Sequence, residues 1–64
     1  MAYRLLVYFP GDRVPRATFD TQRAPEVLTI IPEILASHDG CEHVVVMLDG
    51  ARLFAVDCHG NRLP

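Results

Sequence analysis

Residues 41–58 read CEHVVVMLDGARLFAVDC: two β-rich runs around an Asp-Gly pair, with the only two cysteines of the chain at the ends. Asp-Gly between such runs is the strongest short-range hairpin signal, because a type I′ turn needs positive φ at both central residues. With Asp49 and Gly50 as the turn, Leu48 faces Ala51. Counting outward then sets Val46 against Leu53, Val44 against Ala55 and Cys41 against Cys58, a non-hydrogen-bonded pair. Side chains alternate along a strand, so the hairpin has two faces. One carries Glu42, Val44, Val46, Leu48, Ala51, Leu53, Ala55 and Asp57. The other carries Cys41, His43, Val45, Met47, Arg52, Phe54, Val56 and Cys58. A sheet with one wet face alternates apolar and polar residues, yet both of these faces are apolar at their centres.

Upstream, APEVLTIIPEILASHDG (Ala24 to Gly40) predicts a helix, since Val27, Ile30, Ile31, Ile34 and Leu35 fall on one helical face. Pro25 suits the first turn and Glu26 complements the positive end of the helix dipole. Gly40 marks the stop, with His38 in the last turn. Pro32 removes a backbone donor and presses on the Leu28 carbonyl, which predicts a kink there or a helix that begins at Pro32.

Further upstream, AYRLLVYF (Ala2 to Phe9) reads as a strand ending at the turn signal Pro10-Gly11-Asp12. VPRATFDT could return beside it as a second strand, confined to an edge by Pro15. With Phe9 facing Val14, Phe19 falls near Arg4 and Ala17 near Leu6. Leu5, Val7 and Phe9 then occupy one side of the first strand, and Leu6 and Tyr8 the other. Near the C-terminus, Gly60-Asn61 marks a turn and the start of a short final strand. The expected fold is α+β, a single domain over residues 1–64. It has two layers, an antiparallel sheet of three to four strands with one helix on one face, in the order β-(β)-α-β-β.

One helix covers one face. The face with Ala51 and Ala55 is the expected seat, because small side chains allow close approach. The opposite face would leave Val45, Met47, Arg52, Phe54 and Val56 as a contiguous patch of a kind that soluble monomers rarely expose. A chain of 64 residues buries only about 60% of its unfolded surface and usually leans on a partner, a metal or disulfides. Self-association or another protein partner is therefore expected through those five residues.

Composition narrows the function classes. The chain is 50% hydrophobic and 22% charged with net charge −2, a globular profile without general attraction to nucleic acid or anionic membrane. No apolar run approaches the ~20 residues of a membrane-spanning helix. MAYRLLVYFPGD lacks the features of a signal peptide, so a cytoplasmic location is expected. Arg4, Arg13, Arg16 and Arg23 stand against only Asp12 and Asp20 in residues 1–23, which makes that segment a candidate anion-binding patch, with solvated arginines as the simpler reading.

Cys41, His43 and Cys58 would share one face at one end of the hairpin, as a candidate metal or redox cluster. No Cys-x-x-Cys knuckle accompanies them, and plain buried thiols are the expected state in a reducing cytosol. Ser37-His38-Asp39 has the letters of a catalytic triad, but adjacent residues at a helix end splay apart. Phosphate loops, dinucleotide fingerprints and nucleophile elbows are absent from the sequence. The expectation is a non-enzymatic module without cofactor.

Overall fold

A computed structural model describes residues 2–64. Four strands and one helix follow in the order β1 (Tyr3–Tyr8), β2 (Ala17–Thr21), α1 (Ala24–Ser37), β3 (His43–Leu48) and β4 (Ala51–Asp57). The strands form one antiparallel sheet in the spatial order β2-β1-β3-β4. β2 and β3 both flank β1 and so run parallel to each other. Parallel strands cannot be joined by a tight turn, and α1 makes that crossover.

The core has one centre. Leu5, Val7, Val44, Val46 and Val56 from the sheet cluster with Val27, Ile31 and Ile34 of α1 and with Cys41. The three buried helical positions recur at intervals of four and three residues, the period of a single helical face. Ile30 and Leu35 flank this stripe half-buried.

Local chemistry sets the helix ends. Pro25 occupies the first turn, where a missing N–H goes unnoticed. The Thr21 hydroxyl, buried at the end of β2, donates to Glu26 Oε2 at 2.7 Å. At the other end the backbone N–H of His38 and its ring Nδ1–H both donate to Ile34 O, at 3.0 and 2.8 Å. Gly40 takes φ +84° and turns the chain toward β3. The helix does not begin at Pro32 but runs through it. Pro32 deprives the Leu28 carbonyl of its donor, and Leu28 is 68% exposed, so that part of the helix faces water, which can serve as the donor instead.

The register of β1 and β2 differs by one residue from the sequence expectation. Leu5 pairs with Phe19, Arg4 with Asp20 and Val7 with Ala17. The connection is longer than the four-residue turn expected after Phe9. Asp12 closes an inner turn by accepting from Phe9 N–H at 3.0 Å and donating its own N–H to Phe9 O, and Arg16 N–H reaches Val7 O at 2.8 Å. β2 is an edge strand and Pro15 lies outside it.

The C-terminal hairpin holds the larger correction. Its turn lies at Asp49 and Gly50, with φ of 50° and 84°, and Leu48/Ala51 and Met47/Arg52 pair as expected. The register then shifts between Val46 and Met47, so that Val46 pairs with Phe54, Val45 with Ala55, Val44 with Val56 and His43 with Asp57. Leu53 is the extra residue, a β-bulge. One extra residue exchanges the faces of everything beyond it. Phe54 and Val56 therefore point toward α1 beside Val46 and Val44, and Ala55 points away. The expected helix seat is thus corrected at Ala55, while Ala51 keeps its expected side opposite Leu48. The physical reason is volume: the bulge puts Phe54 and Val56 under the helix in place of Leu53 and Ala55, so more apolar surface leaves water.

A test of this origin is simple. Deleting Leu53, which is 49% exposed, would restore a regular ladder while leaving Phe54 opposite Val46. The deletion variant is expected to fold with stability within about 1 kcal/mol of the parent, measured by urea denaturation. Loss of the fold would show that the bulge itself is required.

Beyond β4 the chain turns at Gly60, φ +87°, and runs back along the outer edge. Asp57 N–H donates to Asn61 O at 2.9 Å, Leu63 N–H donates to Ala55 O at 2.8 Å, and Arg62 bridges Val56. The turn expected at Gly60-Asn61 is present, but in place of a short final strand it leads to a single isolated bridge, which covers the edge of β4.

Candidate interaction surface

The sheet face opposite α1 can be laid out in three rows from the strand pairings. One end carries Tyr8, His43 and Asp57. The middle carries Thr18, Leu6, Val45 and Ala55, and the other end carries Asp20, Arg4, Met47 and Arg52. Leu6, Tyr8, Val45 and Met47 are each half-buried, as is Leu63, which folds back beside Ala55. Ala55 is only 1% exposed because Leu63 and the neighbouring strands close over it. No helix lies on this side among the described residues.

Of the five residues expected to form the interface, the structure keeps Val45, Met47 and Arg52 on this face. Phe54 and Val56 lie on the helix side, and Val56 is buried in the core. Leu6, Tyr8, Ala55 and Leu63 complete the face. Alternation along β1 already placed Leu6 and Tyr8 together, whereas nothing in the local sequence placed Leu63 here.

The polar groups at the rim are organised. The Tyr8 and His43 rings stack at 4.8 Å with 12° between their planes. His43 Nδ1–H donates to Glu42 Oε1 at 3.1 Å. Arg4 Nε–H donates to Asp20 Oδ1 at 2.9 Å, and that carboxylate holds the guanidinium more firmly protonated than usual. Asp57 Oδ1 accepts from the backbone N–H groups of Asn61 and His59, both at 2.9 Å. Those bonds, that to Asn61 foremost, hold the Asp57 carboxyl below its ordinary range.

The three-residue cluster of Cys41, His43 and Cys58 does not assemble, because His43 lies away from the two cysteines. With the register shifted, Cys41 and Cys58 are not cross-strand partners. Cys41 is buried at 4% exposure against α1, Cys58 sits half-buried in the turn after β4, and His43 stacks on Tyr8 on the far face of the sheet. Both cysteines are free thiols. No group of three or more His, Cys, Asp or Glu side chains suited to a metal occurs among the described residues. Burial, followed by the nearby Cys58, pushes the Cys41 thiol up, which suppresses the nucleophilic thiolate. In a thiol titration of the folded protein Cys58 is expected to react first and Cys41 only on unfolding. Equal rates would contradict the buried position of Cys41.

The arginine patch is largely neutralised. Arg4 pairs with Asp20, Arg16 Nη2 with Asp12 Oδ1 at 3.0 Å, and Arg23 Nε approaches Glu26 Oε1 at 3.8 Å. Arg16 also lies over the Phe9 ring at 4.3 Å. Only Arg13 of the four makes no ion pair among the described residues. Ser37-His38-Asp39 does not form a relay. His38 directs its Nδ1–H to Ile34 O and sits near the rings of Phe9 and Phe19 at 6.4 and 5.6 Å, so the nitrogen a triad would aim at its carboxylate is already bonded. No helix of the described residues is long and apolar enough to cross a membrane. Comparison with protein-family models, with curated proteins and with solved structures finds no match for this chain.

Proposed function

We propose that this chain is a small non-enzymatic interaction module that self-associates through the sheet face opposite its helix. One observation carries this reading: Leu6, Tyr8, Val45, Met47 and Leu63 form a half-buried apolar surface on the side that α1 does not cover. Covering such a surface removes apolar area from water at about 25 cal/mol per Å², a large gain beside the stability a domain of this size can generate alone. The rim supports the reading through its mixture of both charge signs, the usual frame of a protein interface rather than of a membrane or nucleic-acid surface.

Sedimentation velocity across the micromolar range tests this directly. The parent chain is expected to shift from monomer to dimer with concentration. Val45→Asp is expected to weaken that association by at least about tenfold, equivalent to about 1.4 kcal/mol, while leaving the circular dichroism spectrum unchanged. A parent that stays monomeric throughout the range would refute self-association.

A further inference from the structure

The rows of the open face carry a charge pattern that selects one way for two copies to meet. At one end Arg52 makes no ion pair among the described residues. At the other end Asp57 also makes no ion pair, with His59 of the adjoining turn as a basic neighbour. Asp57 Oδ2 keeps only a long 3.5 Å contact with the Asn61 amide, which leaves it able to accept a further bond. Both residues belong to β4 and both pair with open-face residues of β3, Arg52 with Met47 and Asp57 with His43. The remaining charged pair of these rows, Arg4 and Asp20, is already satisfied within the chain at 2.9 Å.

Two sheets packed face to face through a two-fold axis can be related in two simple ways. An axis along the strands lays each row on its own copy. It sets Arg52 over Asp20 of the partner, a carboxylate already engaged by Arg4, and Asp57 toward the Arg16 end of β2, a cation already engaged by Asp12. An axis across the strands reverses the row order. It lays β4 over β4 and brings Arg52 of each copy over Asp57 of the other, twice, with Val45 meeting Val45 near the axis.

We infer that the partner of this face is a second copy of the chain, docked about a two-fold axis that crosses the strands, with reciprocal Arg52–Asp57 pairs at the two ends of the interface. The inference rests on the self-association proposed above and adds its orientation. Aligned sheets pack about 10 Å apart, a gap that an arginine reaching from one side can span where the facing carboxylate stands at the rim. Pairs of this kind mainly set register and exclude other orientations, and the apolar middle row supplies the adhesion.

Charge reversal with complementation tests the orientation. Arg52→Asp alone places carboxylates against Asp57 of the partner and is expected to weaken dimerisation at least about tenfold. Mixing Arg52→Asp with Asp57→Arg is expected to give a heterodimer, detected by native mass spectrometry, because both reciprocal contacts are again attractive. If Arg52→Asp instead pairs with Asp20→Arg, or dimerises as well as the parent, the across-strand orientation is overturned while self-association stands. A monomeric parent overturns both. Asp57 also holds the turn at His59 and Asn61, so a second measurement avoids altering it. Val45→Cys is expected to be linked copy to copy through the two introduced thiols by a short bis-maleimide that spans the gap between the sheets, identified by peptide mass. An associating Val45→Cys protein that yields no such link would overturn the orientation independently.

Discussion

Val56→Asp is expected to be unfolded at room temperature, while Val45→Asp keeps the native circular dichroism spectrum. The two valines lie on opposite faces of the sheet. Val56 is 3% exposed within the cluster that includes Val27, Ile31 and Ile34. Val45 is half-buried on the open face. The residues that bury position 56 are apolar, and its bridging neighbour Arg62 is exposed and stacked on the Phe54 ring. A carboxylate there is poorly compensated, and burying such a charge costs several kcal/mol even after relaxation. A domain of 64 residues has about 3–10 kcal/mol of stability in total, at 0.05–0.15 kcal/mol per residue. At position 45 the new charge remains partly solvated and acts on association instead. Urea denaturation followed by far-ultraviolet circular dichroism separates the cases. If both variants folded, or both unfolded, the two valines would share one face, as they would in a ladder without the bulge at Leu53.

Leu5→Ala is expected to lower the melting temperature by at least about 10 °C. Leu5 has no exposed surface and lies on the central strand between Phe19 and Val46, where neighbouring strands on both sides and α1 above prevent collapse into the vacated space. Leu-to-Ala substitutions at such sites cost about 2–5 kcal/mol, and each kcal/mol shifts the midpoint of a small domain by about 4–8 °C. Leu6→Ala next to it serves as control. Leu6 is only half-buried on the open face, so a much smaller shift is expected, confined to the cavity-free part of the loss. Differential scanning calorimetry of the two variants side by side measures the contrast. Comparable losses would mean that the open face is as closely packed as the core.

Much of the architecture was legible before any coordinates, for reasons that lie within short stretches of chain. Asp49-Gly50 announces its turn because few other dipeptides tolerate positive φ twice. Val27, Ile31 and Ile34 announce a helix because their spacing matches one face. The edge position of β2 was legible from Pro15. The first register was missed because Asp12 builds a turn within the longer β1–β2 connection, and a single carboxylate bonding backwards to Phe9 leaves no periodic trace. Of the two readings of Pro32, a kink or a helix start, the start is overturned, since the helix passes through it and the orphaned Leu28 carbonyl belongs to a part of the helix exposed to water.

The candidate surface was legible only in part. An excess of apolar residues on both sides of a small sheet already implied that one helix could not cover them all. Which residues lie on each side depended on the tertiary structure. A strand can shed one residue as a bulge at almost any position, and local sequence sets no strong preference among them. Here the choice falls on Leu53 because that step carries Phe54 and Val56 under α1, a requirement imposed by a helix far away in the chain. The elements and their order follow from contacts between near neighbours. The assignment of faces, and with it the placing of His43 away from Cys41 and Cys58, follows from what the helix needs beneath it.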